Sequence, residues 1–297
     1  MNNQIINELR TSPLAMVKNG TAEMEAVLGE AARPSSKYPE FGTLQSAENM
    51  DDVLNYFNQS GYYAEHIAII SITGMMTKYA RINWDGETLE WIVPGMDDIA
   101  TLMEFVMSKD ECDGVILVMN TPGGTTQSLI RIEEVLKQRT KPVVALVDGM
   151  CASAGMYVAS LCDRIFANNR MCSVGSIGVM VQLLDDSQFL KKNGFKIIEI
   201  YPPESSDKNK PYRDALDGKT QTMIDEILTP LAVNFQNIVK DHRPIDEKVE
   251  GVLSGKMFYA EEAQNAGLID GICTFAAAVS AIRGIQTERK SISEAME

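Results

Sequence analysis

Pro142-Val143-Val144-Ala145-Leu146-Val147-Asp148-Gly149-Met150-Cys151-Ala152-Ser153-Ala154-Gly155 is the stretch whose reading decides the fold. Its first six residues form an unbroken apolar run. A run without alternation reads as a strand buried on both faces, the habit of parallel sheets covered by helices. Ser153 then stands where that strand turns sharply into a segment with helical pattern. There backbone N–H groups and the helix dipole favour negative charge. An enzyme would place at such a point a nucleophile whose attack creates an oxyanion. An N-cap serine in a packed α/β unit accounts for the same position without chemistry, so the rest of the chain has to decide.

Working outward, the pattern repeats. His66-Ile67-Ala68-Ile69-Ile70-Ser71-Ile72 predicts a buried strand ending at Thr73-Gly74, and Gly114-Val115-Ile116-Leu117-Val118-Met119 predicts another. Between them, Ile99, Leu102, Met103 and Val106 have helical spacing after an excursion or hairpin over 78–94. Helices are also predicted over 128–138 and from Ser153 to about Leu161, then a short strand at Arg164–Ala167 and a long helix over 221–242. Pro230 should kink or split that last helix. Strands alternating with helices predict an α/β fold with a parallel sheet covered by helices. Residues 1–62 read as a polar, helix-leaning arm and linker, with a short helix at Ala22–Leu28 and a linker at Arg33–Pro39. Residues 63–283 read as the folded domain, and 284–297 as a charged tail.

The net charge of −14 comes without a basic cluster, so neither nucleic acid nor an anionic membrane is an expected partner. The N-terminus lacks the pattern of a secretory signal, and no apolar run reaches the ~18 residues needed to span a bilayer. A soluble, cytoplasmic protein without a membrane span is expected. Its five cysteines (Cys112, Cys151, Cys162, Cys172 and Cys273) show no metal-ligand spacing, so free thiols are expected and neither metal nor cofactor is.

Three loops after strands carry the candidate chemistry: Asn120-Thr121-Pro122-Gly123-Gly124, the Ser153 loop, and Cys172-Ser173-Val174-Gly175-Ser176-Ile177-Gly178-Val179. Paired glycines let backbone N–H groups approach a ligand, although each loop is also a plausible tight turn. A serine nucleophile needs a base. The only histidines are His66, at the start of a strand, and His242, at the end of a helix. Neither sits on one of these loops, so a Ser-His-Asp triad stays open with poor support, and a lysine base is the natural alternative. A lysine with an ordinary pKa near 10.4 is only about 0.04% neutral at pH 7. To act as base it must titrate about three pH units lower, a differential of roughly 4 kcal/mol that burial supplies.

Asn-Thr-Pro-Gly-Gly, Ala-Ser-Ala-Gly-Met-Tyr, Gly-Ser-Ile-Gly-Val and Gly267-Leu268-Ile269-Asp270, in that order, resemble the signal peptide peptidase A family of serine peptidases (family S49), including its phage and prophage capsid proteases. The resemblance runs from about residue 65 to 280. It implies a ClpP/crotonase-like spiral fold and a Ser–Lys dyad. By this resemblance Ser153 is the nucleophile, and Ser176 is the accessory serine that hydrogen-bonds the lysine. Gly123 or Gly124, together with the Ala154 N–H, is the oxyanion hole. The base is Lys208, with Lys210 as the alternative, after a strand expected at Phe195–Ile200. The glycine that usually precedes the lysine is absent, and Ala154 replaces the glycine common after the nucleophile. The resemblance also implies a homo-oligomeric ring in which one subunit's lysine serves its neighbour's serine.

The expected function is therefore endoproteolysis of a protein or peptide substrate, with capsid or scaffold proteins in phage head maturation as the fitting class. The location is then the host cytoplasm or the prohead. The alternatives are a catalytically inactive scaffold of the same fold and a signal-peptide-degrading peptidase. A crotonase-type acyl-CoA enzyme ranks below these, because no glutamate lies in the Gly123-Gly124 or Ser153 loops.

Overall fold

The three longest apolar runs lie side by side in one sheet. The computed structural model describes residues 14–16, 61–64, 66–84 and 89–296. Along them the chain forms β1 (Leu14–Met16), β2 (Gly61–Ala64), β3 (Ile67–Thr73), a hairpin of β4 (Arg81–Trp84) and β5 (Leu89–Val93), α1 (Met96–Met107), β6 (Gly114–Thr121), β7 (Gly123–Thr125), α2 (Ile130–Lys137), β8 (Val143–Ala152), α3 (Ala154–Ser160), β9 (Arg164–Ala167) and β10 (Ser173–Gly175). It continues through α4 (Ser187–Lys192), α5 (Lys210–Leu216), α6 (Thr229–His242), β11 (Met257–Tyr259), α7 (Ala260–Asn265), β12 (Gly271–Ile272) and α8 (Phe275–Met296).

The main sheet has the order β11-β10-β8-β6-β3-β2, with β9 also on β8 and β12 on β9. β3, β6 and β8 run parallel, in the register Ile67↔Gly114 and Val115↔Val143. β2 and β11 join antiparallel at the two ends. One face buries its side chains under α1, α2, α3 and α6, in a cluster that includes Leu102, Leu117, Ile132, Ala145, Val158 and Val239. The other packs Ile67, Ile116, Val144 and Leu146 against Ala278, Val279, Ile282 and Ile285 of α8. Both faces are dry, which is why these strands are continuously apolar.

β8 is where the sheet bends. Its first half pairs with β9, from Val144↔Arg164 to Val147↔Ala167. Its second half pairs with β10, from Met150↔Ser173 to Ala152↔Gly175. Against β6 the register jumps from Met119↔Val147 to Thr121↔Cys151, leaving β8 two residues longer at that point. Such a bulge bends the strand and strengthens its local twist. Gly149 lies in it with φ 113°, and a Cβ there would come within 2.8 Å of Asn120 Oδ1. The same Oδ1 accepts the Met150 N–H at 3.3 Å.

Two carboxylates tie the late elements to this sheet. Asp163 receives Arg139 in a two-pronged contact (both 3.1 Å), the Val143 N–H at 2.8 Å and Arg289 of α8 at 2.6 Å. Asp270 receives the Ile165 N–H at 2.7 Å and the buried Arg243 at 3.0 Å. Gly267, two residues upstream of Ile269, has φ 77°, and a Cβ there would stand 2.0 Å from the Pro244 carbonyl. The Gly267–Asp270 motif is therefore a packing device between α6, β9 and β12.

The structure departs from the sequence pattern in several places. The strand expected at Phe195–Ile200 does not form. Those residues are irregular, with Phe195, Ile197, Ile198 and Ile200 all more than 60% exposed. An alternating run becomes a strand only where a neighbouring edge receives it. Pro230 does not break its helix: the chain stays helical from Gln221 to His242, but a helical turn at Gln221–Met223 passes into a π-turn at Ile224–Leu228, and the proline falls in the first turn of α6. α8 runs unbroken from 275 to 296, through the point where a charged tail was expected to begin. Ala22–Leu28 and Arg33–Pro39 lie outside the described residues.

Two outcomes test this packing. A Cβ on Gly124 would lie 1.8 Å from the Met76 carbonyl. Gly124→Ala should therefore cost at least about 2 kcal/mol in urea unfolding. Burial alone would raise the Asp163 carboxyl, but the Arg139 contact, the Val143 N–H and the charges of Arg139 and Arg289 outweigh it and hold it below the usual carboxylate range. A lowered folded-state pKa contributes stability above the unfolded value and loses it as pH falls through the folded one. Asp163→Asn should thus melt lower than wild type at pH 7, and the gap should narrow as pH drops below about 4.

Candidate active site

Ser153 sits between β8 and α3 with φ 53° and ψ −117°. A residue with a Cβ pays about 1–3 kcal/mol for such a conformation and keeps it only where its surroundings enforce it. Here they do. The Ser153 N–H donates to the Gly175 carbonyl at 2.9 Å, carrying the β8–β10 ladder one residue beyond the strand. Its own carbonyl then accepts the Tyr157 N–H at 3.0 Å and opens α3. The side chain makes no cap hydrogen bond. Its hydroxyl instead donates to the Gly178 carbonyl at 3.3 Å. The N-cap explanation of this serine therefore fails, and Ser153 is 1% exposed, facing the third loop.

That loop is strained in the same sense. Gly175 has φ 126°, and a Cβ there would meet the Lys256 carbonyl at 2.5 Å. Ser176 has φ 53°, and its N–H donates to the same carbonyl at 2.9 Å. Ile177 is fully buried and anchors the turn. Gly175, Ser176 and Gly178 are thus brought to Ser153 as one unit, by backbone contacts that motif spacing did not spell out.

The Gly-Gly loop packs against the start of α3. A Cβ on Gly155 would lie 2.5 Å from Thr121 Cγ2, so only glycine lets the helix come this close. Thr121 Oγ1 donates to the Gly74 carbonyl at 2.6 Å and accepts the Gly123 N–H at 3.0 Å. This threonine was read only as part of a turn, yet it sets the loop's shape. The Met76 N–H donates to the Gly123 carbonyl at 2.8 Å, and the Thr125 N–H to the Met76 carbonyl at 3.0 Å. The Gly124 N–H and C=O therefore point to the opposite edge of β7. The Ala154 N–H begins α3 and has no acceptor within the helix.

The candidate bases lie elsewhere. Lys208 is exposed in a turn that follows a 3₁₀ segment at Pro203–Ser205, and its N–H donates to the Ser205 carbonyl at 3.1 Å. Arg213 braces that turn by donating to the Ser206 carbonyl at 2.8 Å and stacking over Tyr201 at 4.3 Å. Lys210 starts α5 and faces Asp207 at 3.9 Å. Among the described residues, neither amine is hydrogen-bonded to Ser153 within this protomer. The histidines are engaged locally: His242 Nδ1 with the Ile238 carbonyl at 2.8 Å, His66 Nδ1 with that of Glu111 at 3.1 Å. Cys151 is fully buried, and desolvation pushes its thiol far above the ordinary range, so it is an inert neighbour of Ser153. Tyr157, which ends the Ala-Ser-Ala-Gly-Met-Tyr motif, donates to Glu133 at 2.7 Å and packs on Phe235, tying α3 to α2 and α6.

Comparison with known proteins agrees with this architecture. The family model of the Clp protease matches residues 68–174, which run from β3 into β10 and include Ser153. The chain is 30% identical over 178 residues to a protein of Methanocaldococcus jannaschii (58% of this chain, 56% of that one). It is 26% identical to the capsid assembly protease C of Escherichia phage lambda (76% and 50%) and 24% identical to protease 4 of Haemophilus influenzae (90% and 42%). The chain thus spans about half the length of these relatives. Among the described residues no helix is long and apolar enough to cross a membrane. The model of peptidase family S49 matches residues 135–287, just over half of the chain, from the end of α2 into α8: this protein belongs to peptidase family S49.

Proposed function

We propose that the protein is a serine endopeptidase in which Ser153 attacks the peptide carbonyl and Lys208 takes its proton. The observation that carries this reading is the conformation of Ser153. The chain accepts a strained φ of 53° at a residue whose hydroxyl caps nothing, and holds it there through Gly175. The N–H groups of Ala154 and of the Gly123-Gly124 loop receive the oxyanion, and Gly124 is the glycine whose N–H points away from Met76. Ser176 orients the lysine amine. The acyl-enzyme forms as Lys208 hands its proton to the leaving amine, and water then releases the acid. Between the two lysines, Lys208 is favoured because Asp207 faces Lys210.

The active unit is a homo-oligomeric ring, with Lys208 serving the serine of a neighbouring copy. Two observations support this. Lys208 is turned to solvent, and the segment before it exposes Leu184, Phe189, Phe195, Ile197, Ile198 and Ile200, an apolar run that an isolated chain leaves wet. The substrate class is a soluble structural protein of an assembling particle, as the name of the phage lambda relative suggests.

Ser153→Ala and Lys208→Ala should each abolish peptide turnover and fluorophosphonate labelling of Ser153. A mixture of the two inactive proteins should recover activity, since an intact serine and an intact lysine then meet across an interface. Mixtures that stay inactive would refute the shared site. Loss of turnover in Lys210→Ala with turnover retained in Lys208→Ala would reassign the base. Ser153→Gly should lose all turnover yet melt about 2–4 °C higher, because glycine relieves roughly 1 kcal/mol of backbone strain.

A further inference from the structure

β1 forms no part of the main sheet. It pairs antiparallel with β7, in the register Leu14↔Thr125, Ala15↔Gly124 and Met16↔Gly123. The other edge of β7 is already taken by Met76, which uses the Gly123 carbonyl and the Thr125 N–H. The alternation of strand hydrogen bonds then makes Ala15 and Gly124 the bonded pair, exchanging N–H and C=O in both directions. The edge held by β1 is thus the one that carries the Gly124 N–H, beside α3 and Ser153.

We propose that this edge of β7 is the docking ladder for extended substrate segments and that the chain's own Leu14–Met16 occupies it as an intramolecular competitor. The inference rests on the peptidase reading for what happens after docking, but the docking itself follows from the pairing. An added strand gains its affinity from main-chain hydrogen bonds. The occupant's carbonyl opposite Gly124 meets the N–H that the peptidase reading assigns to the oxyanion. The resident segment reads Leu14-Ala15-Met16, apolar with a small residue in register with Gly124. The edge therefore selects extended apolar segments with a small residue at that position. A tethered occupant is present at high effective concentration, so free segments must compete with it.

Proline separates the pairing from the sequence. Ala15→Pro removes the N–H that bonds Gly124, whereas Leu14→Pro removes one that points away from β7. Both changes leave the main sheet untouched. In a Ser153→Ala background, which prevents turnover, a fluorescein-labelled peptide of residues 12–18 is titrated against the full-length chain by anisotropy. The Ala15→Pro protein should bind it at least about tenfold more tightly than the unaltered or Leu14→Pro protein. Amide exchange at Gly124 should accelerate in Ala15→Pro alone and slow again when the peptide is added. Equal affinity in all three proteins, binding to none, or an unchanged Gly124 amide would overturn the proposal. Fluorophosphonate labelling of Ser153 is scored separately in the native-serine versions. Loss of labelling with retained peptide binding would sink the peptidase reading and leave the docking edge standing.

Discussion

The hydrogen bond from the Ser153 N–H to the Gly175 carbonyl is the constraint on which the site depends. It prolongs the β8–β10 ladder one residue past the end of the strand. A residue still bound to a ladder cannot also take helical angles, so the turn into α3 is compressed into Ser153 alone. The positive φ follows, and with it the direction of the hydroxyl, away from the helix and toward Gly178. The glycines at 155 and 175 are consequences of the same closeness, since each would clash through a Cβ with the segment it approaches.

Much of this was legible in the sequence. The strands at 67–73, 114–121 and 143–152 announced themselves because both of their faces are buried, which leaves no polar residue to disguise the run. The hairpin after Lys78 and the irregular helix ahead of Pro230 followed from local chemistry. The loops of Ser153, Ser176, Gly123 and Gly124 stood out because glycines that permit close approach leave a mark in the sequence, and the structure packs the Ser153 and Gly175–Gly178 loops together. What was not legible depends on partners distant along the chain. The alternation at 195–200 looks like a strand, yet no edge receives it. The tripeptide Leu14–Met16 has no signal of its own and becomes a strand only because β7 has a free side. Thr121 was hidden because a threonine bonding a carbonyl 47 residues away resembles any other threonine.

From α6 onward the chain contributes less chemistry than mechanical fixation. Asp163 and Asp270 each gather a backbone N–H from the sheet and an arginine from a later element. Charge-assisted contacts of this kind fix angle as well as distance. Through them α6, β12 and α8 are locked onto β8 and β9, while the Lys256 carbonyl, ahead of β11, accepts the Ser176 N–H and leaves no room for a Cβ on Gly175.

The two extra residues of β8 at Asp148–Met150 have a consequence for how such a protein can vary. Upstream of them, β8 answers to β6 and β9. Downstream, its position is set by β10. The bulge works as an expansion joint. Changes of side-chain volume in the Val143–Val147 core can be taken up there as small shifts of the backbone before they reach residue 153. The chain can therefore drift in the composition of its interior while the serine keeps its aim, because the element that does the aiming hangs from a different strand than the one that does the burying.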